Sequence, residues 1–378
     1  MRIKLNDDLL LKMIFLFPIT VLIQRYTNVP NRILFATIIL LLLNRLIVII
    51  FKEKKSKQYK VIYAFIILIF LMIYDFYKTG ENLINFNDIM YLPFWIVFLN
   101  YCVLNYEKLE VKINEYLPMM KKSFVFGVLL IILFFVYEKT AYFTNGRHRM
   151  ASGAFLLLVE IVYYCIKTKK RKNYVYAIIP LIAILGSTSR TYVIMSILLI
   201  VYAYWTELKN KVYFYFTIIP IGIIIGIIIM KSSIWEYFQF KQVGEFDYWG
   251  SITSGRTVFW EADIKAYRNS NIVNKIFGNG YNLVYSVNSK AIDAIIYAHN
   301  DFINILLANG IIGIIYYLTS LFKFAKSILK NKKINFSMSM VVFIIFIFNA
   351  FFNGQYNYPA ATFAMLFLFD IAKSRKEV

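Results

Sequence analysis

Long apolar runs recur along this chain and constrain its fold more than any other feature. Most are about 17–22 residues long, near the length that a helix needs to cross a bilayer. Backbone groups in lipid must be satisfied within the segment, so these runs predict helices, and the alternating pattern of a membrane β-barrel is absent from the sequence. The chain, 60% hydrophobic, is therefore predicted to be an all-α, polytopic integral membrane protein. The twelve predicted spans are 9–24, 33–51, 60–77, 86–104, 123–138, 151–166, 174–186, 191–206, 212–230, 300–322, 336–352 and 356–372.

Basic residues are distributed unevenly between the two sides of the predicted bundle. The formal net charge of +21 would suit a nucleic-acid-binding protein, but 26 of the 42 Lys and Arg residues fall in alternate loops and at the two termini. This positive-inside pattern predicts that both termini are cytoplasmic and that the partner is the lipid bilayer, not nucleic acid. Residues 1–378 then form a single membrane domain, and 231–298 form its one large extracytoplasmic loop.

Arginines are scarce in the predicted outer segments, so each one there needs a reason. Arg190 lies in a short outer turn beside Ser189, and Arg256 lies near the start of a helix predicted within the large loop, with Thr253 or Ser254 as its cap. Both arginines could be ordinary interfacial or solvated charges. Alternatively, they could clamp an anion, because a guanidinium group binds two phosphate oxygens at once and a helix N-terminus adds backbone donors.

A third outer basic cluster consists of Arg147, His148 and Arg149. Its charges suit either lipid headgroups or a bound substrate.

His299 is one of only two histidines, and it stands where the large loop returns to apolar sequence. A helix N-terminus disfavours the charged imidazolium, so a histidine there can stay neutral and act as a base. Asn300 and Asn304 lie one helical turn apart and can hydrogen-bond beside it. The alternative is a hydrogen-bonded interfacial histidine with no catalytic role.

Arg45 and Glu160 are two of the charged residues that fall inside predicted spans. Arg45 is close enough to the cytoplasmic end of its span for the guanidinium to reach the membrane surface. Glu160 lies in the middle of a span, where a carboxylate is unfavourable unless it is paired or protonated, so we expect a structural or proton-relay role.

Metal-binding and nucleotide-binding patterns are missing from the outer segments. The sequence has no paired Asp-x-Asp motif there, no phosphate-binding loop, and too few histidines for a zinc site without carboxylates. We therefore expect no metal and no cofactor. A substrate that carries its own leaving group, such as a lipid-linked pyrophosphate, would suit such a face.

Three short motifs together resemble the O-antigen ligase and polymerase superfamily. They are Ser187-Thr188-Ser189-Arg190-Thr191, then Ser254-Gly255-Arg256 with Trp260 four residues on and Gly278-Asn279-Gly280 after it, and finally Ala298-His299-Asn300 leading to Gly310 and Gly313. The order, the spacing and the predicted outer location all fit. The signature covers about 130 residues, from Ser187 to Gly313, while the first half of the chain is similar only in being hydrophobic.

The resemblance implies a GT-C-like membrane glycosyltransferase that works without a metal at the outer face of a bacterial inner or plasma membrane. Arg190 and Arg256 would hold the pyrophosphate of an undecaprenyl-linked oligosaccharide, and His299 would be the general base. Arg147, Arg149, Ser189, Asn300 and Trp260 are the further expected substrate-binding residues. A flippase and a chain-length regulator are the expected protein partners.

Two reactions and one transport process remain open. A polymerase would move the growing O-antigen or capsule chain onto the next lipid-linked repeat unit, whereas a ligase would move it to lipid A core or another acceptor. The richness in Ile, Lys, Asn, Phe and Tyr hints at AT-rich coding and favours the polymerase. A transporter of lipid-linked oligosaccharides is the alternative of a different class, but transport requires neither the long outer loop nor its Arg and His.

The predicted topology can be tested by cysteine labelling of intact cells. We expect a cysteine at position 270 to react with an impermeant reagent from outside, and a cysteine at position 374 to react only after permeabilisation, because the basic residues hold 374 inside. The reverse pattern, with Ser374→Cys labelled and Ser270→Cys protected, would exclude this topology.

Overall fold

The computed structural model describes residues 2–24, 26–52, 86–138, 147–187, 189–207, 255–293, 295–329 and 336–372. This part of the chain is helical and contains no strand. The predicted spans 60–77 and 212–230, and the first part of the large loop, lie outside the described residues. The helices are α1 (Arg2–Ile23), α2 (Val29–Lys52), α3 (Phe86–Glu115), α4 (Leu117–Glu138), α5 (Arg147–Thr168), a 3-10 helix (Arg171–Ala177), α6 (Ile178–Gly186), α7 (Arg190–Glu207), α8 (Arg256–Asn269), α9 (Ile272–Phe277), α10 (Tyr281–Ile292), α11 (Asp301–Leu329), α12 (Phe336–Phe352) and α13 (Pro359–Ala372).

Helix length and composition support a membrane protein. Among the described residues, four helices are long and apolar enough to cross a bilayer, within α3, α4, α5 and α11. Shorter apolar helices occur at Arg190–Trp205, Ser339–Phe352 and Pro359–Ile371. The all-α class and the membrane character are confirmed, while the number of twelve spans stays a prediction.

Helix α5 lies at the centre of the bundle and packs against α1, α4, α6, α7 and α13. Nearly all of its apolar stretch is buried, and the buried residues include Glu160, which is 0% exposed. Neither carboxyl oxygen of Glu160 has a hydrogen-bond partner among the residues that the structure describes. The structural or proton-relay role expected for Glu160 therefore stays a prediction.

One end of the bundle is held together by buried polar networks. Arg45 on α2 pairs through Nε with the Asp7 carboxylate on α1 at 3.2 Å, and the Tyr101 hydroxyl on α3 donates to the same carboxylate at 2.7 Å. Arg45 is only 1% exposed, so the expectation that it reaches the membrane surface is wrong. The reason is that a neighbouring helix supplies an anion, and pairing inside the bundle satisfies the charge.

A second network at this end centres on Asp370 of α13. Its Oδ2 accepts a hydrogen bond from the Tyr163 hydroxyl at 2.6 Å and forms an ion pair with Lys167 at 2.6 Å, both on α5. Tyr106 of α3 donates to Oδ1 of the same carboxylate. The beginning of α1 and the end of α13 therefore share one face of the bundle.

The opposite face collects the N-terminal ends of several helices. Asn31 at the start of α2, Tyr91 on the first turns of α3, Arg149 at the start of α5 and Tyr358 just before α13 all line a common cavity. We call this face the site face. Helices α2, α3, α5 and α13 all begin at this face and run away from it. Its assignment to the outside of the cell stays a prediction.

Helix α11 is broken at Gly310, whose backbone is far from helical at φ 65° and ψ −164°. The break frees the carbonyl groups of Leu307 and Ala308 from their usual partners in the next turn. The backbone N–H groups of Asn279 and Gly280 donate to these two carbonyls, each at 2.9 Å. The turn after α9 is thereby fastened to α11. This contact explains why glycine occurs both in the Gly278-Asn279-Gly280 turn and at Gly310.

Replacing either glycine at this contact is expected to destabilise the protein strongly. Gly278 and Gly310 both have positive φ, and a Cβ on either would fall within backbone atoms of the other segment. For Gly310→Ala we expect a loss of about 2–5 kcal/mol in the free energy of unfolding, measured as thermal stability of the purified protein.

The matched control is Gly127→Ala in α4, where a Cβ meets the buried Leu157 side chain, at 2.8 Å, and not a backbone segment. Because a side chain can shift more easily than two fastened backbones, this variant should lose clearly less stability than Gly310→Ala. Equal stability of Gly310→Ala and the wild type would contradict the proposed role of the break.

Candidate functional site

His299 stands immediately before α11 in a left-handed backbone conformation, with φ 51°. Few non-glycine residues adopt this conformation, although histidine does so more readily than most. The next residue, Asn300, is the N-cap of α11, because its Oδ1 accepts a hydrogen bond from the backbone N–H of Ile303 at 3.1 Å. The predicted position of His299 at a helix N-terminus is therefore correct, and Asn300 serves to begin that helix.

Two further residues fix the peptide that precedes His299. Asn304 Oδ1 accepts from the backbone N–H of Ala298 at 3.4 Å, and Asn304 Nδ2 donates to the Tyr356 hydroxyl. The indole N–H of Trp260 donates to the Ala298 carbonyl at 2.5 Å. Trp260 thus positions the histidine backbone, and its expected contact with sugar stays a prediction.

Helix α8 of the large loop carries both Trp260 and Arg256 to this place. Its N-cap is Gly255, in a left-handed conformation with φ 81°. Thr253 and Ser254, which were the expected caps, lie outside the described residues. The left-handed turn that opens this helix suits glycine, which has no Cβ to clash.

Aromatic rings flank the imidazole of His299. The Tyr297 ring lies 4.1 Å from it between centroids, and the Phe259 ring of α8 lies 6.3 Å away. The Tyr297 hydroxyl donates to the Asn353 carbonyl at 2.7 Å and contacts the Tyr358 hydroxyl at 2.9 Å. His299 Nδ1 is buried, while the side chain as a whole is partly exposed.

Arg256 and Arg190 lie close enough to interact electrostatically. Burial lowers the pKa of Arg256, and the positive charge of Arg190 lowers it further. Arg190 begins α7 directly after buried Ser189, whose carbonyl accepts from Val193 N–H at 3.1 Å. Two partly buried like charges repel each other, so the arrangement favours an anion between them.

The third predicted basic cluster contributes one described side chain. Arg149 lines the cavity of the site face, and its charge acts on Tyr358. The side chains of Arg147 and His148 lie outside the described part, so the role expected for Arg147 stays a prediction.

Asp301 is a structural residue of the site for which the sequence suggested no role. Its Oδ2 accepts hydrogen bonds from the Tyr317 hydroxyl at 2.6 Å and from the backbone N–H groups of Gln355 at 3.0 Å and Tyr356 at 3.4 Å. It ties the start of α11 to the turn between α12 and α13. The sequence feature that points to Asp301 is an acidic residue in the first turn of a helix, next to the histidine motif.

The structure thus brings His299, Arg256 and Arg190 together from three separate parts of the sequence. Within the described ranges, no three His, Cys, Asp or Glu side chains are grouped as metal ligands. The arrangement can hold an anion with two guanidinium groups beside a fixed imidazole. The catalytic and binding roles of these residues stay predictions.

The comparison with known proteins assigns the same segment to a family. Residues 175–318 match the family model described as O-antigen ligase, which confirms the resemblance found in the sequence. The match covers Arg190, Arg256, Trp260 and His299. No curated protein and no solved structure matches the chain.

One buried acid of the large loop lies apart from these residues. Asp263 on α8 is 0% exposed and faces the Asn288 side chain of α10. Burial raises the pKa of Asp263 to about 8. Between about pH 4 and pH 8 the folded protein then keeps a proton that the unfolded chain releases. The free energy of unfolding should therefore fall, by up to about 1.4 kcal/mol per pH unit, as the pH rises through this window.

Replacing Asp263 with Asn should remove this pH dependence, since an amide has no proton to lose in this range. We expect melting curves between pH 5 and pH 8 to show a flatter dependence for Asp263→Asn, with the largest gain in stability near pH 8. The control is Asp293→Asn at the exposed end of α10. An unchanged slope for Asp263→Asn would contradict the assignment.

Proposed function

The chain carries the O-antigen ligase family segment at residues 175–318, and on that premise we propose that it is a polysaccharide polymerase. It would transfer a growing glycan from undecaprenyl pyrophosphate onto the next lipid-linked repeat unit. The observation that carries this proposal is a series of neighbours: Arg190 and Arg256 interact electrostatically, Arg256 interacts with Tyr297, and the Tyr297 ring packs on His299 just before α11. The glycosyl-transfer class agrees with the family.

Binding of the donor is assigned to the two arginines. Their guanidinium groups would engage the pyrophosphate oxygens in pairs, and the N-terminus of α7, which begins at Arg190, adds its dipole. An anion there also relieves the repulsion between the two cations. As the bond to the sugar breaks, negative charge grows on the pyrophosphate, and the same groups stabilise it.

Proton removal is assigned to His299. The acceptor sugar hydroxyl would attack the anomeric carbon of the donor, its proton would pass to the imidazole, and the bond from that carbon to the pyrophosphate oxygen would break. The products are a glycosidic bond with inverted configuration, undecaprenyl pyrophosphate and a protonated histidine. Because Nδ1 is buried, we assign Nε2 as the atom that takes the proton.

Rigid placement of the base supports this assignment. The peptide before His299 is held by Trp260 and Asn304, and the imidazole packs against the Tyr297 ring. A general base must stay within hydrogen-bond reach of the proton that it removes, and these contacts limit its movement.

A ligase that passes the finished chain to lipid A core or another acceptor is the second candidate, because it would need the same clamp and base. Composition favours the polymerase, since Ile, Lys, Asn, Phe and Tyr are abundant. A transporter for the same lipid-linked oligosaccharide is the candidate of another class. It has no use for an imidazole fixed between a clamp and a helix N-terminus.

The central test is His299→Gln, which keeps a polar side chain of similar size but removes the base. We expect polymerisation by the purified protein to fall by about 10²- to 10⁴-fold, with lipid-linked substrate still bound. Activity of the wild type should survive EDTA. In cells, the polymerase reading predicts glycans of a single repeat unit, whereas a ligase variant would accumulate long chains on undecaprenyl pyrophosphate.

Arg256→Lys provides the complementary measurement on the clamp. A lysine keeps the charge but cannot form the paired hydrogen bonds, so substrate binding should weaken almost as much as in Arg256→Ala. Arg268→Ala on the exposed end of α8 is the matched control and should behave as wild type.

Normal chain lengths at the normal destination in the His299→Gln strain would rule out both enzyme readings and favour transport.

A further inference from the structure

A cavity of about 140 Å³ opens on the site face. It lies among the ends of α1, α2, α3, α5 and α13. At about 30 Å³ for each water molecule, the space holds about five of them, which is the order of size of a diphosphate. We call it the second cavity, because the proposed clamp of Arg190 and Arg256 is the first anion site.

The residues that line the second cavity suit an anion. Two of them are cations, Arg32 on α2 and Arg149 on α5, and among the described residues that line the cavity there is no Asp or Glu. The N-terminal ends of α2, α5 and α13 converge there, so three helix dipoles favour negative charge. Neutral polar side chains add hydrogen-bonding groups, namely Gln24, Asn31, Ser152 and Asn357.

The same cavity has an apolar side. Phe17 and Val21 on α1 and Phe35 on α2 line it below the polar groups. All three side chains are buried in the core, at 1%, 6% and 8% exposed, so they close the floor of the cavity. The cavity can therefore take the charged head of a lipid-linked molecule, and its isoprenoid chain would stay in the surrounding bilayer.

Two tyrosines separate the second cavity from the reaction site. Tyr297 and Tyr358 both line the cavity, and their hydroxyl groups are 2.9 Å apart. The other side of this wall belongs to the reaction site, because the Tyr297 ring packs on His299 and the charges of Arg149 and Arg256 both act on Tyr358. A molecule anchored in the cavity therefore has its next groups near His299.

We propose that the second cavity binds the pyrophosphate of the acceptor, so that the protein holds two lipid-linked pyrophosphates at once. This inference rests on the proposed function and deepens it. A polymerase joins two substrates that both carry this group, and the donor occupies Arg190 and Arg256. The sugar of the acceptor then reaches past the tyrosine wall to present its hydroxyl to His299. A ligase would not need a second pyrophosphate site for its acceptor.

The test counts the bound pyrophosphate groups. The full-length protein is placed in phosphatidylcholine nanodiscs, titrated with undecaprenyl pyrophosphate and examined by native mass spectrometry. We expect two molecules per wild-type chain, one for the double variant Arg32→Ala with Arg149→Ala, and one for Arg190→Ala with Arg256→Ala. Arg268→Ala, an exposed arginine outside both sites, should bind two.

A kinetic measurement distinguishes binding from a folding defect. With lipid-linked repeat units as substrate, Arg149→Gln should raise the KM about tenfold or more while kcat stays within a few-fold of wild type. A decrease in kcat at unchanged KM would overturn the proposal, because it would indicate a structural role for Arg149.

The outcomes separate this inference from the function on which it rests. Two molecules retained by the Arg32 and Arg149 variant would overturn the second site. If the wild type binds one molecule, and only the variant Arg190→Ala with Arg256→Ala loses it, the second site is overturned while the polymerase chemistry stays intact. Displacement of the second molecule by phosphatidylglycerol in the nanodisc would show a phospholipid headgroup site instead and overturn it too. No binding at all would contradict both proposals.

Discussion

The break in α11 at Gly310 is the constraint on which the rest of the site depends. An uninterrupted helix would use the carbonyl groups of Leu307 and Ala308 internally, but here they accept from Asn279 and Gly280. The contact fastens the second half of the large loop to the membrane bundle. With that half held, α8 packs against α10 and α11, and Arg256 and Trp260 arrive beside His299.

The site is then built in layers around one peptide. The backbone before His299 is hydrogen-bonded by Trp260 of α8 and Asn304 of α11, and the Tyr297 hydroxyl donates to the turn between α12 and α13. Asp301 joins α11 to this turn through two hydrogen bonds, from the backbone N–H groups of Gln355 and Tyr356. Apart from Asp301 these partners are neutral, so they add rigidity without adding a charge beside the two arginines.

Much of this site could be predicted from local sequence. His299 at a helix start and Arg190 where a span begins followed from where charged and apolar residues alternate, and the structure has His299 just before α11 and Arg190 as the first residue of α7. Partners across the fold could not be predicted in this way. Nothing near Arg45 in sequence shows that Asp7 lies beside it, and nothing near Trp260 shows that its indole meets the Ala298 carbonyl.

The cap of α8 illustrates a different limit. Thr253 and Ser254 have the side chains that usually cap helices, but the N-cap of this helix is Gly255. Its backbone is left-handed, a conformation that favours glycine. Arg32 shows a similar limit. It lies at the edge of a predicted outer segment, as Arg190 does, but no motif in the neighbouring sequence marks it, and the residues that share its cavity come from other helices.

The residues of the cavity and those of the proposed reaction site come from two different parts of the chain. The family segment of residues 175–318 contains the proposed clamp and the proposed base, yet Arg32 and Arg149 belong to helices that precede it. The pyrophosphate assigned to Arg32 and Arg149 is the same in every repeat unit, so these two positions need not change with the sugar. Exchanging residues 1–168 between two such proteins would then keep both anion sites and leave the choice of repeat unit unchanged.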